Sequence, residues 1–75
     1  MREKILEQLK EINEEIVEDL DRDLLASGIL DSFGIVDMVV ELEETFDTVI
    51  EIDLVTPDNF RTAESIIKLM ESILA

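Results

Sequence analysis

The sequence has no cysteine, histidine, tryptophan or tyrosine. Without cysteine or histidine, a disulfide framework, a thiolate nucleophile and a histidine metal site are all excluded. An independent enzyme needs a nucleophile with a base, a metal, or a tuned acid–base pair. Serines, threonines and scattered carboxylates are what remain, so the chain reads as a non-enzyme with no metal site. Basic residues are scarce too, 6 against 20 acidic, for a formal net charge of −14. Phosphate backbones are gripped by lysine and arginine, which excludes nucleic acid as a partner. An anionic membrane surface is disfavoured for the same reason. No apolar run approaches the ~20 residues of a membrane span, and the charged N-terminus lacks the apolar stretch of a signal peptide. The expectation is a cytoplasmic monomer with no direct membrane insertion.

What is present is enough for one small domain over residues 1–75, near the lower end of what folds without disulfides or metals. Hydrophobic residues make up 47% of the chain, sufficient for a core, which argues against disorder. The acidic balance makes basic protein surfaces the natural partners, with an attraction that weakens in salt. Solubility alone is a competing account of the same charge.

Ile5, Leu9, Ile12 and Ile16 recur at helical spacing, widened by Leu6 and Val17, and predict a first amphipathic helix over about 2–17. Residues 18–31 then read as a long loop with apolar anchors at Leu20, Leu24, Leu25 and Ile29, and Gly28 marks a tight turn. Asp19, Asp21 and Asp23 alternate as in a calcium loop. However, Leu24 stands where that loop needs glycine and Leu30 where it needs a bidentate glutamate, so the calcium reading is rejected.

A second helix over about 32–46 carries two apolar stripes. Ile35, Met38, Val39, Leu42 and Phe46 cluster on one side and read as core. Phe33, Val36 and Val40 lie on another side, bordered by Asp37, Glu41 and Glu44. Apolar residues ringed by carboxylates suit docking to a partner with a greasy groove and a basic rim. The alternative is a helix buried around most of its circumference, with Phe33 folded inward. Residues 47–56 form a loop; Val49, Ile50, Ile52, Leu54 and Val55 within it have no second strand to pair with and read as an extended, core-packed segment. Thr56-Pro57-Asp58 supplies an N-cap, a first-turn proline and a first-turn acid for a short helix over about 57–60, anchored by Phe60. Thr62 caps a last helix over about 62–74, with Ala63, Ile66, Ile67, Met70, Ile73 and Leu74 inward. The fold class expected is all-α, a small antiparallel four-helix bundle of three long helices and one short.

The most informative stretch is Leu30-Asp31-Ser32-Phe33-Gly34, which opens the second helix. Asp31 is the expected N-cap, accepting backbone N–H groups that the first turn leaves unpaired. Ser32 falls in that turn with its hydroxyl outward. A phosphate on that oxygen would gain about 0.3–1 kcal/mol from the helix dipole on an exposed surface. The motif, the run Gly28-Ile29-Leu30-Asp31-Ser32, and Glu41-Leu42-Glu43-Glu44 before Phe46 resemble the acyl carrier protein family of phosphopantetheine-binding carriers. The resemblance covers nearly the whole chain, including the order of the helices.

That resemblance implies that Ser32 takes a covalent 4′-phosphopantetheine arm from coenzyme A. It implies that Asp31 helps place magnesium when a phosphopantetheinyl transferase acts, and that Phe33, Val36, Asp37, Val40, Glu41 and Glu44 form the partner-recognition face. Acyl or aminoacyl groups would ride as thioesters to loading and transfer enzymes with basic docking surfaces. Carriers of fatty-acid synthesis usually have an acid two residues after the serine, where this chain has Gly34. Asp47 stands after Phe46 where the family commonly has glycine. Leu-Asp-Ser-hydrophobic-Gly looks closer to D-alanyl carriers, so an amino-acid carrier for cell-envelope or peptide synthesis is the first alternative. An acidic helical interaction module without a prosthetic group is the second.

Overall fold

Asp31, Thr56 and Thr62 each start a helix because each side chain accepts a backbone N–H that the first turn leaves free. A computed structural model describes all residues, Met1–Ala75. Its α-helices are α1 (Arg2–Ile12), α2 (Glu14–Glu18), α3 (Ser32–Phe46), α4 (Pro57–Phe60) and α5 (Ala63–Leu74), with a 3-10 turn at Ile52–Leu54. No residue is in a strand. The Cα radius of gyration is 11.0 Å, matching the about 11 Å of a well-packed chain of this length.

The first helix departs from expectation. Periodicity predicts one helix over about 2–17, whereas the chain breaks at Asn13, which is fully extended (φ −164°, ψ 116°). The Asn13 N–H still donates to the Leu9 carbonyl and closes α1. Its side-chain oxygen accepts the Glu15 N–H at 3.0 Å and opens α2. Asparagine competes with helix by bonding its own neighbouring backbone, and the two glutamates after it suit the positive end of a new helix. The break makes five α-helices where four were expected.

Fourteen apolar residues form the core, and no polar side chain is buried with them. Ile5 and Leu9 of α1, Ile16 of α2 and Met38 and Leu42 of α3 meet Phe60 and the α5 residues Ala63, Ile66, Ile67, Leu69 and Met70. Ile35, Val39, Phe46, Ile73 and Leu74 pack against this cluster half-buried. Leu69 is a core residue that the α5 stripe did not include. Arg2 grips Glu64 with both terminal guanidinium nitrogens, tying α1 to α5.

The segment after α3 is partly as expected and partly corrected. Ile50 is buried and Leu54 and Val55 are half-buried, but Val49 and Ile52 point outward, so the stretch is not core-packed throughout. Asp47 ends α3 in the left-handed conformation (φ 49°). This is the backbone state for which glycine is preferred after a helix.

Candidate functional site at the start of α3

The loop that delivers the chain to α3 is built on its own backbone. Asp23 Oδ1 accepts the N–H groups of Leu25 and Ala26 at 3.0 and 2.8 Å, and Gly28 turns the chain at φ +80°. The Leu30 N–H then donates to the Leu24 carbonyl at 2.9 Å, and both leucine side chains are buried. Asp19 Oδ1 accepts the Asp21 N–H at 3.0 Å. Two of the three alternating aspartates are thus used as turn formers. The loop is anchored to the far end of the chain, where the Leu24 N–H donates to the Arg61 carbonyl at 2.6 Å. The Arg61 guanidinium reaches Asp23 at 3.4 Å and Asp58 at 3.2 Å. The Ala26 N–H foremost, and then Arg61, hold the Asp23 carboxyl below its ordinary range.

With Leu30 buried, the next residues emerge into solvent. Asp31 Oδ1 accepts the Gly34 N–H at 2.7 Å, the capping bond expected. Gly34 allows this close approach, since a Cβ there would stand 3.3 Å from that oxygen. The Ser32 side chain is exposed, and its hydroxyl bonds to no other group of the chain. The Ser32 and Phe33 N–H groups are likewise unpartnered, the usual condition of a helix's first turn. A free primary hydroxyl beside unpaired N–H donors and a positive dipole end suits an esterified phosphate.

The second apolar stripe lies open. Phe33 is 82% exposed, Val36 58% and Val40 47%, so Phe33 does not fold inward. Asp37, Glu41 and Glu44 are exposed on the same side of α3. Not one lysine or arginine occurs between Asp23 and Phe60, so α3 itself carries only negative charge. Three surface depressions exist, lined mainly by charged and polar side chains of α1, α2 and the C-terminal half of α3, and none includes Ser32.

Two features of this surface escaped the sequence. Glu43, one of a run of acids, turns its carboxylate onto the Ile50 N–H at 2.8 Å. Val49 and Ile52 stand exposed beyond it, 73% and 86%. Only the acids flanking Ile52, Glu51 and Asp53, hinted at exposure.

Residues 1–70 match the family model described as the phosphopantetheine attachment site. The chain belongs to that family. It is a thioester carrier, and its prosthetic group is covalent 4′-phosphopantetheine. Among its relatives, the D-alanyl carrier protein of Bacillus cereus (strain B4264) is 36% identical over 74 residues, covering 96% of this chain and 94% of the relative. The D-alanyl carrier protein of Bacillus anthracis (strain CDC 684 / NRRL 3495) is similar to the same extent. Members of this carrier family are non-catalytic and interact with phosphopantetheinyl transferases and with enzymes that handle acyl or aminoacyl groups. No helix of the carrier is long and apolar enough to cross a membrane.

Proposed function

We propose that Ser32 is the attachment point of the phosphopantetheine arm, within a single carrier domain over residues 1–75. The observation that carries this reading is the exposed, unpartnered Ser32 hydroxyl at the Asp31-capped start of α3. When bound, the group supplies the thiol that a chain without cysteine lacks. Asp31 keeps the first turn of α3 closed and offers its second carboxylate oxygen for magnesium while a transferase acts. Phe33, Val36 and Val40 supply the apolar contact with partner enzymes. Asp37, Glu41 and Glu44 supply charge that speeds encounter with basic rims without slowing release. The chain's own part is binding and presentation, not catalysis. The fold is read as the carrier bundle of four helices, its first helix bent at Asn13. A cytoplasmic monomer completes this reading.

Three observations favour an aminoacyl cargo, D-alanyl in particular. Gly34 follows Ser32-Phe33, and the relatives are named as D-alanyl carriers. The interior is filled by Phe60, Ile5, Leu9, Met38 and their neighbours, all fully buried, which suits a small group carried outside the bundle.

Coexpression with a phosphopantetheinyl transferase and intact mass measurement tests the attachment. The wild type gains one phosphopantetheinyl mass and Ser32→Ala gains none; modification that survives Ser32→Ala overturns the assignment. Val40→Arg or Glu41→Lys slows loading with the helical content unchanged. D-alanine-adenylating and fatty-acyl-loading enzymes, each offered the holo form, separate the two cargo readings.

A further inference from the structure

Ser32 stands on an overhanging helix end. The buried residues of α3 are Met38 and Leu42, so the first of them lies six residues beyond the serine, about a turn and a half of helix away. Asp31, Ser32 and Phe33 are exposed, and Gly34 and Ile35 are half-buried. A helix end with so little packing frays readily. The Asp31 cap closes the first turn on itself but ties it to no other element. What fixes this end of α3 to the rest of the domain is the residue before the cap, the buried Leu30.

Leu30 is held by an arch over residues 24–30, closed where its N–H donates to the Leu24 carbonyl. One residue organises the start of that arch. Asp23 Oδ1 accepts the Leu25 and Ala26 N–H groups, and the Asp23 carbonyl accepts the Ser27 N–H at 3.0 Å. Its other carboxylate oxygen, Oδ2, meets the Arg61 guanidinium. The foot of the arch is bonded to the α4–α5 junction at two main-chain points. The Leu24 N–H donates to the Arg61 carbonyl, and the Glu64 N–H donates to the Leu20 carbonyl at 3.1 Å. Asp23 is thus the side chain that joins the turn of the arch to the far end of the chain. The serine's place is set from α4 and α5 through Asp23, Leu24 and Leu30, as much as from α3.

We propose that Asp23 is a positioning residue for attachment of the arm: by closing the 24–30 arch against Arg61, its carboxylate fixes where the Ser32 hydroxyl stands during transfer. This rests on the reading of Ser32 as the attachment point. In that step the Ser32 oxygen bonds to the pantetheine-side phosphorus of coenzyme A, and the bond from that phosphorus to the bridging oxygen breaks. Adenosine 3′,5′-bisphosphate leaves, and the serine proton passes to a base on the transferase. A displacement of this kind is sensitive to misplacement of the attacking oxygen by about 1 Å. Val36 and Val40, by contrast, lie on the part of α3 that Met38 and Leu42 anchor in the core. Docking through them does not need the arch, so loss of Asp23 falls on kcat rather than on KM.

The test follows modification of the full chain by a broad-specificity bacterial phosphopantetheinyl transferase with coenzyme A, at a temperature where circular dichroism shows each variant folded. Asp23→Ala lowers kcat about five-fold and leaves KM within about two-fold of wild type. It also speeds hydrogen exchange at the Leu30 N–H about ten-fold, with the Leu42 N–H unchanged. Asp23→Ser, whose hydroxyl accepts the same N–H groups, recovers most of the loss in kcat. Ile73→Val, a small destabilisation at the half-buried end of α5, leaves kcat at the wild-type value. If Asp23→Ala does not fold, Arg61→Met decides, because it keeps the carbonyl that holds Leu24 and removes only the guanidinium. Its expected effect is about a two-fold loss in kcat, as suits an exposed ion pair, and no loss overturns the proposal. With wild type modified at Ser32, unchanged kcat or unchanged Leu30 exchange in Asp23→Ala overturns the positioning role and leaves the attachment reading standing. An equal loss of kcat in Ile73→Val does the same. Wild type that is not modified at Ser32 overturns both.

Discussion

Asp31 and Gly34 are coupled through a single oxygen: Asp31 Oδ1 accepts the Gly34 N–H at 2.7 Å, and a Cβ on Gly34 would meet the same atom at 3.3 Å. The absence of a side chain at position 34 and the cap at position 31 are therefore one feature. Asp31→Ala loses the cap and costs about 1 kcal/mol. Gly34→Ala alone gains helix propensity, up to about 1 kcal/mol, but forces the cap to shift, so its net effect stays well below that figure. In the Asp31→Ala background the same change becomes stabilising, because the opposing oxygen is gone. A double-mutant cycle by urea unfolding measures this coupling, and additive effects would show that the two residues act independently.

Asp47 ends α3 with φ 49°, a backbone state that costs a residue with a Cβ but not glycine. Asp47→Gly is expected to stabilise the carrier by about 0.5–1 kcal/mol, and Asp47→Val to destabilise it by at least as much. Thermal melting of the two variants against wild type checks the order.

Phe60 is the largest fully buried side chain, held at the end of a four-residue helix that could not persist alone. Phe60→Ala removes about 3–5 kcal/mol, a large share of what a domain this small has available. Loss of cooperative melting near room temperature is the expected result. Phe60→Leu, which keeps most of the volume, should retain a folded, measurable transition.

Two carboxyls are held below their ordinary values, Glu64 by the Arg2 guanidinium, and Asp23 by the Ala26 N–H and then by Arg61. A folded-state pKa below the unfolded one gives stability that is present above the unfolded value, 4.5 for Glu64 and 3.8 for Asp23. That stability is lost as pH falls through the lower folded value. Other acids relieve mutual repulsion over the same range, so the informative quantity is a difference between proteins. Glu64→Gln and Asp23→Asn are expected to melt below wild type at neutral pH, with the gap closing once the pH is well below 3.8. Both pairs are solvent-accessible, so high salt narrows the gap at neutral pH. A gap that persists at low pH would mean that packing, rather than charge, underlies it.

The elements most legible in the sequence are those with a local cause. The two stripes of α3 follow from side-chain spacing, and the caps at Asp31, Thr56 and Thr62 from chemistry within three residues. The break at Asn13 had a local signal too, an asparagine followed by two glutamates, but the unbroken apolar period across it concealed the stop. Core membership was less secure where a helix is buried on more than its main stripe, as Leu69 is. At the site, the exposure of Ser32 and of the Phe33–Val36–Val40 stripe matches what the spacing suggested. The exposure of Val49 and Ile52 did not follow from any spacing.

By itself the sequence determined that the chain offers neither a thiolate nor an imidazole, having no cysteine and no histidine. Its Gly28–Ser32 run and the order of its helices carried the resemblance to phosphopantetheine-binding carriers, and it is that resemblance which implied a sulfur borrowed from a prosthetic group. The sequence also determined that α3 carries only negative charge, since no cation falls between Asp23 and Phe60. Tertiary structure alone decided which acid is spent inside the fold, Glu43, and which remain outside, Glu41 and Glu44. It also decided that Val49 and Ile52 face solvent while Ile50 between them is buried. The reason is physical: a helix period reports which residues share a face, but a loop's direction depends on the distant groups that capture its backbone. Here those are the Glu43 carboxylate and the Leu24–Arg61 bond.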